Sequence, residues 1–174
     1  MLCRYIVKTN GKTHTGIEPD MDIKNMSTDQ LRRHYTLIED ELMLREKAEF
    51  ASSAKSEIAE LAKQGNVYFD VGTGYRHKGY KSAVYFVIHP HMYDYIKIGF
   101  TRKSVTNRLT ALSKTWQADR EKLHVEALIK CENPRAIEKN IHKLLNRFRI
   151  NRYEEYFERQ PVIEFIEWVR GEVS

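Results

Sequence analysis

The stretches Val84-Tyr85-Phe86-Val87 and Ile96-Lys97-Ile98-Gly99-Phe100-Thr101 decide the predicted fold of the C-terminal half. Both are apolar runs of strand length, and each contains one side chain that can carry charge or transfer a proton. The loop between them contains proline, histidine and aspartate. The pattern predicts a β-hairpin. If its turn centres on His91, Tyr85 pairs with Lys97 and the two side chains share one face of the sheet.

From residue 83 onwards the pattern reads ββαβαα. The helix over Asn133–Arg149 is the best delimited, because Asn133 is a suitable N-cap and Pro134 occupies the first helical position. The predicted strands are Val84–Ile88, Tyr95–Gly99 and Leu123–Lys130, and the predicted helices are Lys103–Thr115, Asn133–Arg149 and Pro161–Val169.

The first 80 residues have a different pattern. A hairpin is predicted around Asn10-Gly11, which is a strong two-residue turn signal. Ser27 and Gln30 form a candidate capping box, and the helix that they open is expected to run to about Gln64. Its apolar stripe shifts along the way, which predicts a bent helix or two packed helices. A short strand over Val67–Val71 then leads into a glycine-rich connection.

The first part of this helix has apolar residues at Leu31, Tyr35, Ile38 and Leu42. These steps of four and three residues fit a short dimeric coiled coil and equally a stripe that faces the core. Residues 1–80 are therefore predicted to be an appendage for targeting, for dimerisation or for binding a protein partner. Residues 81–174 are predicted to be the second domain.

Charge separates the two halves of the chain. Residues 1–80 have equal numbers of basic and acidic side chains, whereas residues 81–174 have 17 Lys and Arg against 12 Asp and Glu, which accounts for the whole net charge of +5. A basic half rich in aromatic residues suits a polyanion such as nucleic acid. A solvated basic surface without a partner is the alternative.

Several other classes of protein are excluded by the sequence. The two cysteines have no short spacing, which argues against a zinc site or a disulfide framework. The glycines do not follow the spacing of a phosphate-binding loop. With no apolar run of spanning length and no signal-peptide pattern, the chain is expected to be soluble and cytoplasmic, without contact with a membrane.

Five residues could carry chemistry in the C-terminal half. A cation beside Tyr85, such as Lys97, would favour its phenolate, and the guanidinium of Arg108 suits a phosphate held at the sheet face. The alternatives are a packed tyrosine and an arginine that covers the edge of the core. Glu138 and His142 are four residues apart on a helix face that is predicted to be polar. A single carboxylate can hold Mg²⁺ when water and phosphate complete its coordination.

Two segments near the end of the domain add charge beside this helix. Arg149 lies eleven residues beyond Glu138 on nearly the same stripe. The segment Glu154-Glu155-Tyr156-Phe157 follows and could pair with Arg149 or Arg152, a contact that favours a structural role over a catalytic one.

Together and in this order, these motifs resemble the GIY-YIG nuclease superfamily over residues 83–168, in the phage-type branch whose second motif reads Lys-Ile-Gly. Two departures are visible. The first motif reads Ala83-Val84-Tyr85, and Lys97 stands where many relatives have tyrosine. The residues that carry the resemblance are Tyr85, Lys97-Ile98-Gly99, Thr101, Arg108-Leu109, Glu138, His142, Arg149 and Glu155-Tyr156-Phe157.

The resemblance implies an α+β domain with a small three-stranded sheet flanked by helices, acting as a metal-dependent endonuclease on DNA in phage or mobile-element biology. It implies Mg²⁺ or Mn²⁺ at Glu138, activation of water by Tyr85 or Lys97, and stabilisation of phosphate charge by Arg108. His142 is expected to orient a water, the metal or a phosphate. The expected nucleic-acid contacts are Arg102, Lys103, Lys114 and Arg149.

Two other classes of function fit the same sequence. The domain could be a catalytically weak module that only binds nucleic acid, or a regulatory interaction protein that keeps the fold as a scaffold. Tyr85, Arg108 and Glu138 together favour the enzyme, because a scaffold has no physical need for all three.

Overall fold

The computed structural model describes residues 5–9, 12–16, 26–73, 79–119, 122–150 and 155–172. Within these ranges no helix is both long enough and apolar enough to cross a bilayer. A short 3₁₀ turn spans Asn146–Phe148. The strands and helices in chain order are β1 (Tyr5–Thr9), β2 (Lys12–Gly16), α1 (Thr28–Lys63), β3 (Val67–Gly72), β4 (Lys81–His89), β5 (Met92–Ser104), α2 (Val105–Thr115), β6 (Val125–Lys130), α3 (Pro134–Leu144), β7 (Tyr156–Glu158) and α4 (Arg159–Gly171).

Contacts divide the chain into two units, Met1–Lys47 and Ala48–Ser174. The first unit contains the antiparallel pair β1–β2, in which Tyr5 lies opposite Gly16 and Thr9 opposite Lys12. The predicted N-terminal hairpin is therefore present. The Asn10-Gly11 turn predicted to close it lies outside the described residues, as does most of the glycine-rich connection after β3.

Helix α1 begins and ends at the residues that the sequence indicated. The Ser27 amide donates to Gln30 Oε1 at 2.9 Å and the Gln30 amide donates to Ser27 Oγ at 3.3 Å, which confirms the capping box. At the other end Gly65 has a φ of 72°, and the Asn66 amide bonds to the Leu61 carbonyl at 3.0 Å. Between these signals α1 is one helix of 36 residues, and not two packed helices.

The second unit is built on one antiparallel sheet of five strands in the order β3-β6-β4-β5-β7. The predicted mixed α+β class is confirmed, but the sheet has two more strands than the three expected. Strand β3 pairs with β6 and adds one edge. Strand β7 adds the other edge, and at three residues it is too short to show the alternation that identifies a strand in a sequence.

The boundary that the sequence placed at residue 80 falls inside this second unit. Strand β3 belongs to the main sheet, and the buried residues of α1 lie in the part of the helix that follows Lys47. These buried positions are Ala54, Ile58, Ala59 and Ala62.

Alternate residues of β4 face two separate hydrophobic clusters, one on each side of the sheet. Val84, Phe86 and Ile88 pack in the cluster that includes residues of α1, α3 and α4. Tyr85 and Val87 pack in the other cluster, with α2. Side chains of a strand alternate between the two faces of the sheet. Because both faces are covered along β4, its sequence is a continuous apolar run. Helices α2 and α3 thus cover opposite faces.

Candidate functional site

Tyr85 lies in the middle of β4, directly opposite Gly99 of β5, and its side chain is completely buried. A Cβ atom built on Gly99 would lie 2.5 Å from Tyr85 Oη and 2.8 Å from Tyr85 Cζ, closer than real atoms approach. The phenol therefore lies against the bare backbone of β5. Glycine is required at position 99 of the Lys97-Ile98-Gly99 motif because a side chain there would clash with Tyr85, and not because the backbone has an unusual φ.

We expect Gly99→Ala to reduce any activity that depends on the position of the Tyr85 hydroxyl, because the added methyl group would displace the ring. The same substitution at Gly171, where no atom lies within 4 Å of the added Cβ, is the matched control. Thermal melting and the intrinsic tyrosine titration of both variants provide the measurements. An unchanged titration of Tyr85 in Gly99→Ala would contradict the close approach.

The hydroxyl of Tyr85 is held by α2. Arg108, in the first turn of this helix, donates a hydrogen bond from Nε to Tyr85 Oη at 2.9 Å. Burial raises the pKa of the Tyr85 phenol above its usual value of 10.0, although the hydrogen bond and charge of Arg108 act in the opposite direction. The free protein therefore holds Tyr85 as a neutral phenol. The cation expected beside it was Lys97, and the structure places Arg108 there instead.

Lys97 is displaced by two residues from the pairing that the sequence suggested. It pairs with Val87, because the hairpin register shifts between Ile88 and His89, next to the turn. Lys97 still shares a sheet face with Tyr85, since residues two apart on a strand point the same way. Its ammonium forms an ion pair with Glu155 at 2.6 Å.

The residue after Glu155 also contacts Lys97. The ring of Tyr156 lies 4.9 Å from the Lys97 ammonium, and its hydroxyl accepts a hydrogen bond from Trp116 Nε1 at 2.8 Å. A cation over an aromatic face is attracted by the ring quadrupole. Lys97 is thus fixed from two directions by the segment that forms β7.

Glu138 projects from α3 and is buried, with 8% of the residue exposed. This position corrects the expectation that Glu138 and His142 occupy a polar face. Burial, followed by the charge of Glu155, raises the pKa of the Glu138 carboxyl to about 7, against the opposing influence of Arg149 and Lys97. Near neutral pH the group therefore exists in both its protonated and its charged form.

The raised pKa predicts that Glu138→Gln stabilises the folded protein in alkaline solution. A pKa raised from 4.5 to about 7 means that the wild type loses stability as the pH rises through this window, because the folded state favours the protonated carboxyl. The neutral amide avoids that loss. We expect a stability gain at pH 8 that exceeds the gain at pH 5 by about 2 kcal/mol.

Urea unfolding of both proteins at the two pH values, with a chelator present, measures this difference. Glu132→Gln is the matched control, because Glu132 is exposed just before α3 and should change little at either pH. A Glu138→Gln gain of the same size at both pH values would show that the carboxyl is not titrating in this range.

His142 connects α3 to β5. Its Nε2 lies 3.0 Å from the carbonyl oxygen of Ile98 and 3.5 Å from Glu138 Oε1. A carbonyl can only accept, so Nε2 carries the proton and donates. Burial lowers the pKa of the His142 imidazole, which keeps the ring neutral at neutral pH. The ring also packs on Phe157, at 4.9 Å between centroids.

These side chains converge on the Ile98-Gly99 peptide of β5. Tyr85 covers Gly99, whereas His142 bonds to Ile98 and has Glu138 beside it. Although α2 and α3 cover opposite faces of the sheet, the charge of Glu138 contributes to the raised pKa of Tyr85. The carboxylate and the phenol are therefore within electrostatic reach of each other.

Glu155 belongs to the motifs named from the sequence, but its contact with Lys97 was not predicted. It was expected to pair with Arg149 or Arg152, and Arg152 lies outside the described residues. The structure pairs it with Lys97, and its charge influences Tyr85 and Glu138 as well. No sequence signal for this contact was available, because the strand that follows Glu155 is too short to be recognised from its sequence.

The predicted nucleic-acid contacts fall into two groups. Arg102, Lys103 and Lys114 are exposed at the end of β5 and in the last turn of α2. Arg149 is half-buried, forms an isolated bridge with Phe157, and lowers the pKa of Glu138 through its charge. Only Arg149 of these four therefore acts on the buried carboxylate.

Acidic, basic and phenolic groups are thus gathered at one strand of an antiparallel sheet that is flanked by helices. Residues 82–171, which make up more than half of the chain, match the T5orf172 domain. The chain belongs to this family of phage-associated, nuclease-type domains. No curated protein and no solved structure matches the chain.

Proposed function

We propose that the protein is an endonuclease of the GIY-YIG type that cleaves phosphodiester bonds of DNA with Mg²⁺ or Mn²⁺. The observation that carries the proposal is the hydrogen bond from Arg108 to Tyr85 Oη against Gly99, with the Glu138 carboxyl within electrostatic reach. A proton-transfer group, a fixed cation and a carboxylate are the parts that hydrolysis of a phosphodiester requires.

The residues present fit a single divalent ion. Within the described ranges, no three His, Cys, Asp or Glu side chains form a group that could hold a metal. Mg²⁺ often takes one carboxylate and completes its octahedron with water and substrate phosphate. Glu138 suits this arrangement, because a cation would offset the burial that now opposes its charge. Bound there, the ion would act as a Lewis acid towards the scissile phosphate.

Arg108 and Tyr85 are assigned to the phosphate and to the attacking water. A guanidinium has five N–H donors, and the bond to Tyr85 uses one of them, so Arg108 can also contact a phosphate. Tyr85 activates water as the phenolate or through a second water. The bond from Arg108 favours that phenolate.

Lys97 is the alternative group for activating water, and its ion pair with Glu155 fixes its position. His142 is assigned to orienting a water, the ion or a phosphate. In the free protein His142 bonds to the Ile98 carbonyl, and its Nε2 lies 3.5 Å from Glu138 Oε1.

DNA is the proposed substrate, because the family is phage-associated and the excess of basic residues lies in the same half of the chain as the site. The exposed Arg102, Lys103 and Lys114 are proposed to contact the backbone phosphates. Such contacts position a duplex without reading its sequence, and they weaken as salt concentration rises.

Incubation of the purified full chain with supercoiled plasmid tests this function. We expect conversion to nicked or linear DNA with Mg²⁺ or Mn²⁺ and none with a chelator. If the protein binds DNA but does not cleave it under any metal condition, it is a nucleic-acid-binding module and not an endonuclease. If neither binding nor cleavage occurs, both of these functions are wrong.

A further inference from the structure

The first part of α1 has several large apolar side chains that are exposed in the described part of the chain. Tyr35, Ile38 and Leu42 are 66%, 44% and 51% exposed, and Leu31 is half-buried. We call these four residues the α1 stripe. Contiguous apolar surface of this kind marks an interaction site in soluble proteins.

The spacing of the α1 stripe is that of a coiled-coil seam. Steps of four, three and four residues place Tyr35 and Leu42 at a positions and Leu31 and Ile38 at d positions of a heptad. The stripe starts four residues after the N-cap Ser27, whose side chain completes a capping box. It therefore lies on a helix with a well-defined start and not on a fraying end.

An antiparallel partner helix of the same sequence covers the stripe completely. With the two-fold axis between residues 36 and 37, Leu31 lies opposite Leu42 of the second copy, and Tyr35 lies opposite Ile38. Each pair occurs twice by symmetry. The result is four successive apolar layers with no polar residue between them.

The flanking charges are complementary in this antiparallel arrangement. Residues at e positions face e positions across an antiparallel seam, and residues at g positions face g positions. Arg32 therefore meets Glu39 of the second copy with opposite charge, and His34 lies opposite Glu41 of the second copy, where its ring can donate a hydrogen bond. Within one helix, Arg32 also lies 3.8 Å from Asp29, but both side chains are at least 80% exposed and such pairs are weak.

A parallel arrangement of the same two helices is opposed by charge. There each g position faces the following e position, which places Glu41 opposite Glu46 of the second copy, twice. Charges at e and g positions set the orientation of coiled coils, so this repulsion selects against parallel pairing.

We propose that the α1 stripe is a homodimer interface, in which α1 pairs antiparallel with α1 of a second copy of this chain. The spacing of the apolar residues supplies the seam, and the complementary charges identify the occupant as the same sequence in the opposite direction. The proposal goes beyond the nuclease function and does not depend on it.

Analytical ultracentrifugation of the full chain over a wide range of concentration tests the interface. We expect twice the 20.6 kDa mass of one chain at high concentration. Ile38→Glu places a charge in the seam and should weaken dimerisation by about 100-fold or more. Leu44→Glu is the matched control, because Leu44 is 62% exposed but lies outside the seam and should leave the dimer intact.

A charge swap tests the orientation. Arg32→Glu should weaken the dimer by placing like charges together, and the double variant Arg32→Glu with Glu39→Arg should restore it. Parallel helices would not respond to Arg32→Glu, and Glu46→Lys would strengthen them. A monomer at every concentration, a dimer that survives Ile38→Glu, or a dimer indifferent to Arg32→Glu would each overturn the proposal. Circular dichroism of each variant confirms that α1 remains helical.

Discussion

Glu138→Gln is expected to abolish DNA cleavage while leaving DNA binding nearly intact. The amide keeps the shape of the carboxyl but loses the charge that would hold a divalent ion. Metal ions contribute several kcal/mol to stabilising a transition state, so cleavage should fall by roughly 10³-fold or more. Affinity for DNA should stay equal or rise slightly, because the substitution removes a negative charge close to the bound phosphates.

Plasmid nicking and a gel-shift titration, run side by side at one salt concentration, measure the two effects. Glu132→Gln removes an exposed carboxylate that precedes α3 and should behave as wild type in both assays. A chelator should reproduce the Glu138→Gln defect in the wild type. An equally active Glu138→Gln protein would end the assignment of Glu138 as the metal ligand.

Tyr85→Phe has the second large expected effect, a loss of roughly 10²- to 10⁴-fold in cleavage, which is the usual contribution of a proton-transfer group. The substitution removes only the hydroxyl that accepts the hydrogen bond from Arg108. The ring keeps its place against Gly99, so the fold should be preserved. Binding of DNA should also be preserved, because Arg108 and the exposed basic residues retain their charges.

Single-turnover cleavage rates as a function of pH provide the measurement for Tyr85→Phe. Tyr80→Phe is the matched control, because Tyr80 packs beside the same hydrophobic cluster, at 4.8 Å from the ring of Tyr68. If Tyr85→Phe cleaves at the wild-type rate and Lys97→Met does not cleave, water activation belongs to Lys97. A loss caused by misfolding would appear in the melting curve.

Local signals in the sequence predicted the elements that depend on neighbouring residues. The capping box of Ser27 and Gln30 and the N-cap of Asn133 are present, because such bonds form within one turn of helix. The mixed α+β class also followed from the order of apolar segments. Strands β3 and β7 were not placed in the sheet, because edge pairing is decided by residues distant in the sequence.

The sequence predicted which residues form the candidate site better than it predicted the contacts between them. Tyr85 and Lys97 were expected to be direct partners, but a register shift beside the turn separates them, and no sequence rule locates such a shift. Glu138 was expected on a polar face, because helical periodicity ranks a carboxylate as exposed. Its burial arises from tertiary packing of α3 on β5, which brings His142 to the Ile98 carbonyl.

Strand β7 has a consequence for the order in which the molecule is assembled. The Glu155 side chain that holds Lys97, and the Glu155 carbonyl that accepts from the Ile98 amide at 3.0 Å, both come from a segment translated long after β4 and β5. A nascent chain that ends before Glu155 has Tyr85, Lys97, Arg108 and Glu138 but cannot fix Lys97 in place. The arrangement is completed only when Glu155 and Tyr156 can contact Lys97, so this geometry forms late in the synthesis of the domain.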